Sequence, residues 1–373
     1  MNILPRPLFQ FLIIPVGLSL ILLSPSYAKT EKDKPMNDID RVIRPEKKQV
    51  LVLTTGGTIA GSATTDKLEY KAGNTKGEDL VASIPDLQNM AKIHVDPVAQ
   101  IGSQDMSDTI LLKLAKKVQA AENNPSISGI VITHGTDTME ETAFFLDKLI
   151  NSKKPIILTG AMRPTNFISS DGASNLVNAV KLATRPEAYH QPVMIVMNDM
   201  IYDAHSVQKN HTTSLQTFQS PNTGPIGIIN NDHVYFYRTS SNARKHIYAI
   251  PKKAPFPRVE IIYSHIQMDG DLIHDAVKRG AKGIILAGVG DGNTSTQAIQ
   301  ALQKVASKGV IVVRSSRTGS GFVNRNVEVN DDANKFIAAA DLNPQKARIL
   351  LQLILANKIN ELDTIQQLFY EMN

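Results

Sequence analysis

The sequence of 373 residues contains no cysteine and no tryptophan, and aromatic residues make up only 5% of it. The absence of cysteine excludes disulfide bonds, thiol catalysis and metal sites built from thiolates. Few aromatic residues, a net charge of only +5 and scattered bases argue against nucleic-acid binding. The chain also lacks H-E-x-x-H or a comparable His/carboxylate spacing, so we expect no metal and no other cofactor.

Long apolar runs are scarce, apart from one near the amino terminus. Phe11–Leu23 is apolar but too short to span a bilayer comfortably, and Ser26 and Ala28 form the small-x-small pattern of a signal-peptidase site. We expect a signal peptide at residues 1–28, export to the periplasm, and a mature protein that stays out of the membrane. A membrane anchor is the alternative interpretation. Residues 29–47 are highly charged and predict a polar arm.

The rest of the chain alternates short apolar, β-branched runs with amphipathic segments that predict helices. Runs such as 50–53 and 129–133 are typical of parallel strands that helices cover on both faces. The alternation lapses at 241–257, where the composition is that of a linker. We therefore predict an α/β fold with two domains. The larger N-terminal domain (48–240) has a doubly wound, mainly parallel sheet, and the smaller C-terminal domain (258–373) is also α/β.

The sequence predicts the N-termini of three helices. Ser107 can cap a helix that stops near Asn124, and Asn343 is a good cap followed by a proline. Thr138 and Glu141 have the spacing of a capping box, in which the two side chains bond the first turn reciprocally.

The stretch T-G-G-T, residues 55–58, directly follows the first predicted strand. It is not a phosphate-binding loop of a known pattern, because Gly56 and Gly57 are adjacent and no G-K-[ST] follows. The glycines provide unusual backbone angles for a turn, or they leave Thr58 accessible as a nucleophile. The residues alone leave both interpretations open.

A second loop, H-G-T-D-T, follows the strand predicted at 129–133. Thr136 and Asp137 precede a predicted helix, so its N–H groups and the positive end of its dipole face whatever binds there. Asp137 could equally serve only to start the helix. His134 could be a base, but a single histidine at a strand end is more often structural.

Eight motifs in order carry a resemblance to a known family. They are T-G-G-T-I-A-G, I-G-S-Q-D-M, V-I-T-H-G-T-D-T-M-E-E-T-A, G-A-M-R-P, V-M-N-D, V-G-D-G-N, V-V-R-S-S-R and L-N-P-Q-K-A-R. From about residue 49 to the carboxyl terminus the chain resembles the bacterial type II, exported L-asparaginases. The resemblance implies a two-domain α/β hydrolase that assembles as a homotetramer, with active sites where paired subunits meet.

The resemblance implies a set of catalytic residues. Thr58 matches the nucleophilic threonine, and Tyr70 matches the tyrosine of a flexible lid near it. Thr136 and Lys209 match a second threonine and its lysine, which activate the attacking group or water with help from Asp137. Tyr70 or Lys209 could remove the proton of the nucleophile. Both threonines are plausible attackers, and we favour Thr58, which would form an acyl-enzyme.

The resemblance also implies a binding site for a small zwitterion. Free asparagine carries an ammonium, a carboxylate and an amide, which require acids, N–H or O–H donors and a nucleophile respectively. Asn293 and Glu328 match positions that the neighbouring subunit provides. The implied substrate-binding residues are Gly57, Ser103, Gln104, Gly135, Thr136, Asp137, Asn293 and Glu328.

The function expected from the resemblance is hydrolysis of L-asparagine to L-aspartate and ammonia. A mixed glutaminase–asparaginase is one alternative, because a single methylene separates the two substrates. The residue at 293 favours asparagine, since relatives with strong glutaminase activity tend to carry serine there. A periplasmic amino-acid-binding protein is the alternative from another class, but it would have no use for a nucleophile and bases.

Overall fold

The apolar run at 50–53 forms the middle of a strand that lies inside the larger sheet, and all of its side chains except that of Leu51 are fully buried. A computed structural model describes residues 47–63, 70–151, 153–238 and 248–370. The predicted signal peptide (1–28) and most of the polar arm (29–47) lie outside the described residues. Residues 239–247, which include the first seven residues of the predicted linker (241–257), lie outside them as well.

Sixteen strands occur in the described residues. They are β1 (Gln49–Gly56), β2 (Ser62–Ala63), β3 (Tyr70–Lys71), β4 (Lys92–Ile101), β5 (Gly129–Thr133), β6 (Ile156–Thr159), β7 (Met194–Met197), β8 (Met200–Asp203), β9 (Gln208–Lys209), β10 (Phe218–Gln219), β11 (Gly227–Asn230), β12 (His233–Phe236), β13 (Val259–Tyr263), β14 (Gly283–Gly288), β15 (Ile311–Ser316) and β16 (Phe336–Ala338).

Ten α-helices occur in the same residues. They are α1 (Gly77–Ala82), α2 (Pro85–Met90), α3 (Asp108–Asn123), α4 (Met139–Leu149), α5 (Gly172–Ala183), α6 (Asp271–Lys278), α7 (Thr296–Ala306), α8 (Asp331–Asn334), α9 (Pro344–Ala356) and α10 (Leu362–Tyr370). Short 3₁₀ helices lie at Thr58–Ala60, Ser103–Asp105 and Pro186–Ala188.

The larger sheet has eight strands in the order β12-β11-β8-β7-β6-β5-β1-β4. Strands β4, β1, β5, β6 and β7 run parallel, whereas β8, β11 and β12 are antiparallel additions at one edge. The smaller sheet, β13-β14-β15-β16, is wholly parallel. The predicted fold class, a larger mainly parallel sheet followed by a smaller α/β domain, is confirmed.

The two sheets share a hydrophobic core through helices α4 and α9, which pack against each other. One buried cluster contains Phe144 of α4, Leu350 of α9 and Val313 of β15. Two residues of the predicted linker join this cluster, because Tyr248 and Phe256 are buried and the Phe256 ring stacks on Phe145 at 5.7 Å. The described part of the linker is therefore anchored in the core by these two side chains, while others such as Lys252 and Lys253 stay exposed.

Two of the three predicted helix caps are confirmed. The side chain of Ser107 accepts a hydrogen bond from the Ile110 amide, and that of Asn343 accepts one from the Lys346 amide. The capping-box prediction at Thr138 is wrong. The Thr138 hydroxyl makes no bond to the first turn of α4 and instead donates to the Ser103 carbonyl at 2.8 Å. The hydroxyl therefore bonds a carbonyl 35 residues away in the sequence instead of a backbone N–H of its own helix.

Candidate functional site

The T-G-G-T stretch turns where β1 ends, and backbone packing explains its glycines. Gly57 has φ +81°, and a Cβ atom there would lie 2.4 Å from the amide nitrogen of Gly135 and 2.5 Å from its Cα. Only glycine allows this approach of two backbones. Thr58 follows as the first residue of a 3₁₀ helix, and it is buried with 8% of its surface exposed. The turn thus serves to press the two polar loops together, with Thr58 at their junction.

The loop after β5 forms the facing wall. A Cβ atom at Gly135 would lie 2.7 Å from the Ser103 Oγ, so this glycine also permits a close contact. Thr136 is buried, whereas the Asp137 side chain is mostly exposed. Because β1, β4 and β5 are parallel neighbours, their carboxyl ends bring these loops to one edge of the sheet.

Lys209 reaches this edge from the two-residue strand β9. Its Nζ donates to the Thr136 Oγ1 at 2.9 Å and to the Asp137 Oδ1 at 2.6 Å. The lysine side chain is 16% exposed and that of Asp137 is 62% exposed, so the pair is shielded on the lysine side and open to solvent on the other. The arrangement places a cation, a hydroxyl and a carboxylate in direct contact, which suits proton transfer at Thr136.

The loops surround an open cleft of about 670 Å³. This volume falls within the range typical of small-molecule sites. The predicted site residues that line it are Gly57, Thr58, Ser103, Gln104, Gly135, Thr136, Asp137 and Lys209. The structure therefore brings eight of the predicted residues together, from segments as far apart in sequence as 57 and 209.

Three predicted residues are not placed at this cleft by the described part of the chain. The side chain of Tyr70 lies outside the described residues, although its backbone pairs with Ala63 in the hairpin of β2 and β3. Residues 64–69, which directly precede Tyr70 in the predicted lid, also lie outside them. Asn293 and Glu328 belong to the smaller domain, where the Asn293 Nδ2 donates to the Glu328 Oε2, and neither residue lines the described cleft.

Some cleft residues were not predicted. Lys71, Gln100, Met162 and Thr212 line the same cleft. Met162 belongs to the G-A-M-R-P motif that follows β6, so its position at a strand end was a usable signal. Lys71 belongs to β3 and directly follows Tyr70, so the predicted lid was a signal for it. Thr212 comes from an irregular segment without a local pattern, and the sequence contained no sign that it would reach this edge.

The histidine of the second loop is structural. His134 is completely buried, with Nδ1 at 2.7 Å from the Gly135 carbonyl oxygen and Nε2 at 2.9 Å from the Thr142 hydroxyl. Burial lowers the pKa of His134 from 6.5 to about 4, because a charged imidazole would be desolvated there. A neutral ring that donates from Nδ1 and accepts at Nε2 satisfies both contacts.

Comparison with protein families finds two adjoining matches. Residues 49–242 match the family described as "Asparaginase, N-terminal", and residues 258–369 match "Glutaminase/Asparaginase C-terminal domain". Within the residues that the structure describes, no helix has both the length and the apolar character needed to cross a membrane.

Individual proteins are similar over most of their length. The chain is 42% identical to a "Probable L-asparaginase periplasmic" of Haemophilus influenzae, covering 86% of this chain and 92% of the relative. It is 40% identical to a "Glutaminase-asparaginase" of Acinetobacter glutaminasificans, covering 87% and 99%. A solved structure, a probable cytoplasmic L-asparaginase from Campylobacter jejuni, superimposes with a TM-score of 0.83 at 40% identity, covering 87% of this chain and 100% of the other.

Proposed function

Because this chain belongs to the asparaginase family and is therefore an amidohydrolase, we propose that it hydrolyses L-asparagine with Thr58 as the nucleophile. The observation that carries this proposal is the cleft at the carboxyl ends of β1 and β5. There, buried Thr58 lines the cleft together with Thr136, which is bonded to Lys209 of the Lys209–Asp137 ion pair. The family relationship argues against the binding-protein alternative, since ligand binding alone needs no such pair of hydroxyls.

The proposed reaction has two steps. In the first, the Thr58 Oγ1 bonds to the amide carbon of asparagine, the carbon–nitrogen bond breaks, and ammonia leaves with the proton of the hydroxyl. In the second, water attacks the resulting ester, aspartate is released, and the proton returns to Thr58. Backbone N–H groups of the glycine turn other than that of Gly57, which bonds the Ile101 carbonyl, would stabilise the oxyanion, and each donor contributes about 3–4 kcal/mol in comparable sites.

The contacts of Lys209 support different roles for the two threonines, with Thr58 as the nucleophile and Thr136 in the activation of water. Its Nζ is already bonded to Thr136 and Asp137, so these three groups together suit activation of the attacking water. Tyr70 then becomes the base for Thr58. Closure of the lid that carries it would exclude bulk water from the ester.

The zwitterionic end of the substrate requires charged and polar partners. Ser103 and neighbouring backbone N–H groups suit the α-carboxylate, and Asp137 with Gln104 suits the α-ammonium. Asn293 and Glu328 of a neighbouring subunit would complete the site in a homotetramer. Their direct contact with each other in the smaller domain supports their acting as one unit. Activity measured across dilution, together with ultracentrifugation, tests this, because a fully active monomer would contradict it.

The test of the nucleophile is Thr58→Ala. We expect ammonia release from asparagine to fall to background while aspartate still binds, because the hydroxyl is lost and the rest of the cleft is kept. In the unmodified protein, a slow substrate should leave an ester that mass spectrometry maps to Thr58. An ester on Thr136, or a Thr58→Ala enzyme with a near-normal rate, would overturn the assignment.

Substrate preference and location are further parts of the proposal. Similarity to a glutaminase-asparaginase makes activity on glutamine the second candidate, and Asn293 favours asparagine. Rates of ammonia release from the two amides, measured side by side, decide between them. We propose a periplasmic location because residues 1–28 have the pattern of a signal peptide and one relative is named periplasmic. A mature amino terminus other than Lys29 would contradict that cleavage site.

A further inference from the structure

The L-N-P-Q-K-A-R motif has no role in the reaction just described, yet its first turn contacts the segment that leads to Lys209. Asn343, the cap of α9, donates from Nδ2 to the Gln208 Oε1 at 3.2 Å. The Lys346 Nζ donates to the His205 carbonyl at 2.7 Å and also to the Val207 carbonyl. Two side chains of the smaller domain thus bond three of the four residues that precede Lys209.

A third contact of this turn passes through Glu140 and reaches Lys209 itself. Glu140 lies in the first turn of α4 and is buried, with 4% of its surface exposed. Its Oε2 accepts the backbone N–H of Lys209 at 2.8 Å, and its Oε1 accepts the Gln345 Nε2 at 2.5 Å. Both carboxylate oxygens are used, so Glu140 connects Lys209 with α9.

The charge of Lys346 is buried at the same junction, with 2% of its surface exposed. Burial lowers its pKa, and the carboxylates of Glu140, Asp203 and Asp341 oppose that effect. A buried cation is costly unless it is paired and hydrogen-bonded. Here its donors go to two carbonyls of one short segment, so the position of that segment is coupled to the position of α9.

We propose that the first turn of α9, residues 343–346, together with Glu140, positions Lys209 for the reaction. This inference rests on the proposed role of Lys209. The strand β9 has only two residues and pairs with another two-residue strand, β10, so its own ladder determines its position weakly. The contacts from α9 supply the missing constraint. A catalytic group displaced by about 1 Å can lose about a hundredfold in rate.

The first experiment is Gln345→Met, which removes the amide that bonds Glu140 and keeps the length of the side chain. We expect kcat for asparagine to fall about tenfold, with KM and the dissociation constant of aspartate changed less than about threefold, because the cleft residues remain. Gln352→Met is the matched control. Gln352 is buried on the same helix, and its Nε2 bonds the Pro257 carbonyl at 3.3 Å, away from Lys209. Its kcat should stay within about twofold of the unmodified enzyme, whatever the change in melting temperature.

A charge exchange gives the second experiment. Gln345→Glu places a second carboxylate beside that of Glu140, and because the two repel each other it should lower kcat more than Gln345→Met does. Adding Glu140→Gln restores a donor and an acceptor between the two side chains, so the double variant should recover kcat to within about threefold of the unmodified enzyme. A purely structural role would change the melting temperature without this recovery of kcat.

The outcomes separate this inference from the proposed function. Lys209→Met is measured in parallel and should abolish turnover. If it is inactive while Gln345→Met and Gln345→Glu keep full kcat, the positioning role is overturned and the role of Lys209 stands. Equal losses of kcat in Gln345→Met and Gln352→Met also overturn it. If Lys209→Met keeps full kcat, the assignment of Lys209 fails and the inference fails with it.

Discussion

Acidification provides a quantitative test of the buried His134. The folded protein holds its ring neutral, with the Gly135 carbonyl on one nitrogen and the Thr142 hydroxyl on the other. Burial lowers the pKa of His134 from 6.5 to about 4. The unfolded chain therefore takes up a proton at this residue below pH 6.5, whereas the folded chain takes it up only near pH 4.

The sign and size of the effect follow from this difference. As pH falls from 6.5 towards 4, the unfolded state binds more protons at this histidine, so the free energy of unfolding decreases. The slope is about 1.4 kcal/mol per pH unit, and the total loss is about 3 kcal/mol. Below about pH 4 both states are protonated, and this contribution changes no further.

The assay compares unfolding by guanidinium between pH 7.5 and 4 in the unmodified protein and in His134→Asn, at one protomer concentration. The substituted side chain of His134→Asn can place an amide donor near the Gly135 carbonyl, but it does not titrate. The difference in free energy of unfolding between the two proteins should change by about 3 kcal/mol, to the disadvantage of the unmodified protein, as the pH falls. The contributions of all other titrating groups cancel in this difference. Parallel curves would refute the reasoning. An NMR titration of the His134 ring, with a midpoint near 6.5, would refute it without any variant.

Two further substitutions test the packing of the fold. Gly57→Ala should lower stability by more than about 2 kcal/mol and abolish ammonia release, because the added methyl group would meet the Gly135 backbone. Gly309→Ala is the control, since Gly309 has φ +86° and an added Cβ atom would have no neighbour within 4 Å. It should cost only the backbone strain of about 1–2 kcal/mol. Similar losses in both glycine variants would contradict the packing argument. Asp331→Asn should cost about 3–5 kcal/mol in denaturant unfolding, since Asp331 pairs with buried Arg314 through two bonds of 2.7 and 2.8 Å; a loss under about 1 kcal/mol would contradict that estimate.

Elements with a strong local signal were predicted correctly. The apolar run at 129–133 forms β5 with the predicted bounds, and the run at 50–53 lies inside β1. Helix α9 begins after Asn343, as its cap and the following proline indicate. In these segments the decisive interactions are burial of a continuous apolar run and hydrogen bonds within one helical turn, and both are encoded by adjacent residues.

Strand β4 had no comparable signal. It spans Lys92–Ile101 at the edge of the larger sheet, where most of its side chains are partly or fully exposed, and it contains Pro97. An edge strand lacks the continuous apolar run, and proline argues against a central one. Strands β8 and β12 reverse direction for a local reason, because the two-residue connections from β7 to β8 and from β11 to β12 permit only antiparallel pairing. The pairing of β11 with β8 is a tertiary contact between segments that are distant in the sequence.

By itself, the sequence determined the alternation of apolar strands with helices and the polar loops where the chemistry collects, since these depend on residues that are neighbours in the chain. Only the tertiary structure decided which groups meet there. Lys209 bonds Thr136 across 73 positions, and Gln345 bonds Glu140 across 205. No local pattern specifies such pairs, because their energies exist only after the sheets and helices have packed. The Thr138 hydroxyl illustrates the same point, since it could have capped its own helix but bonds Ser103 instead.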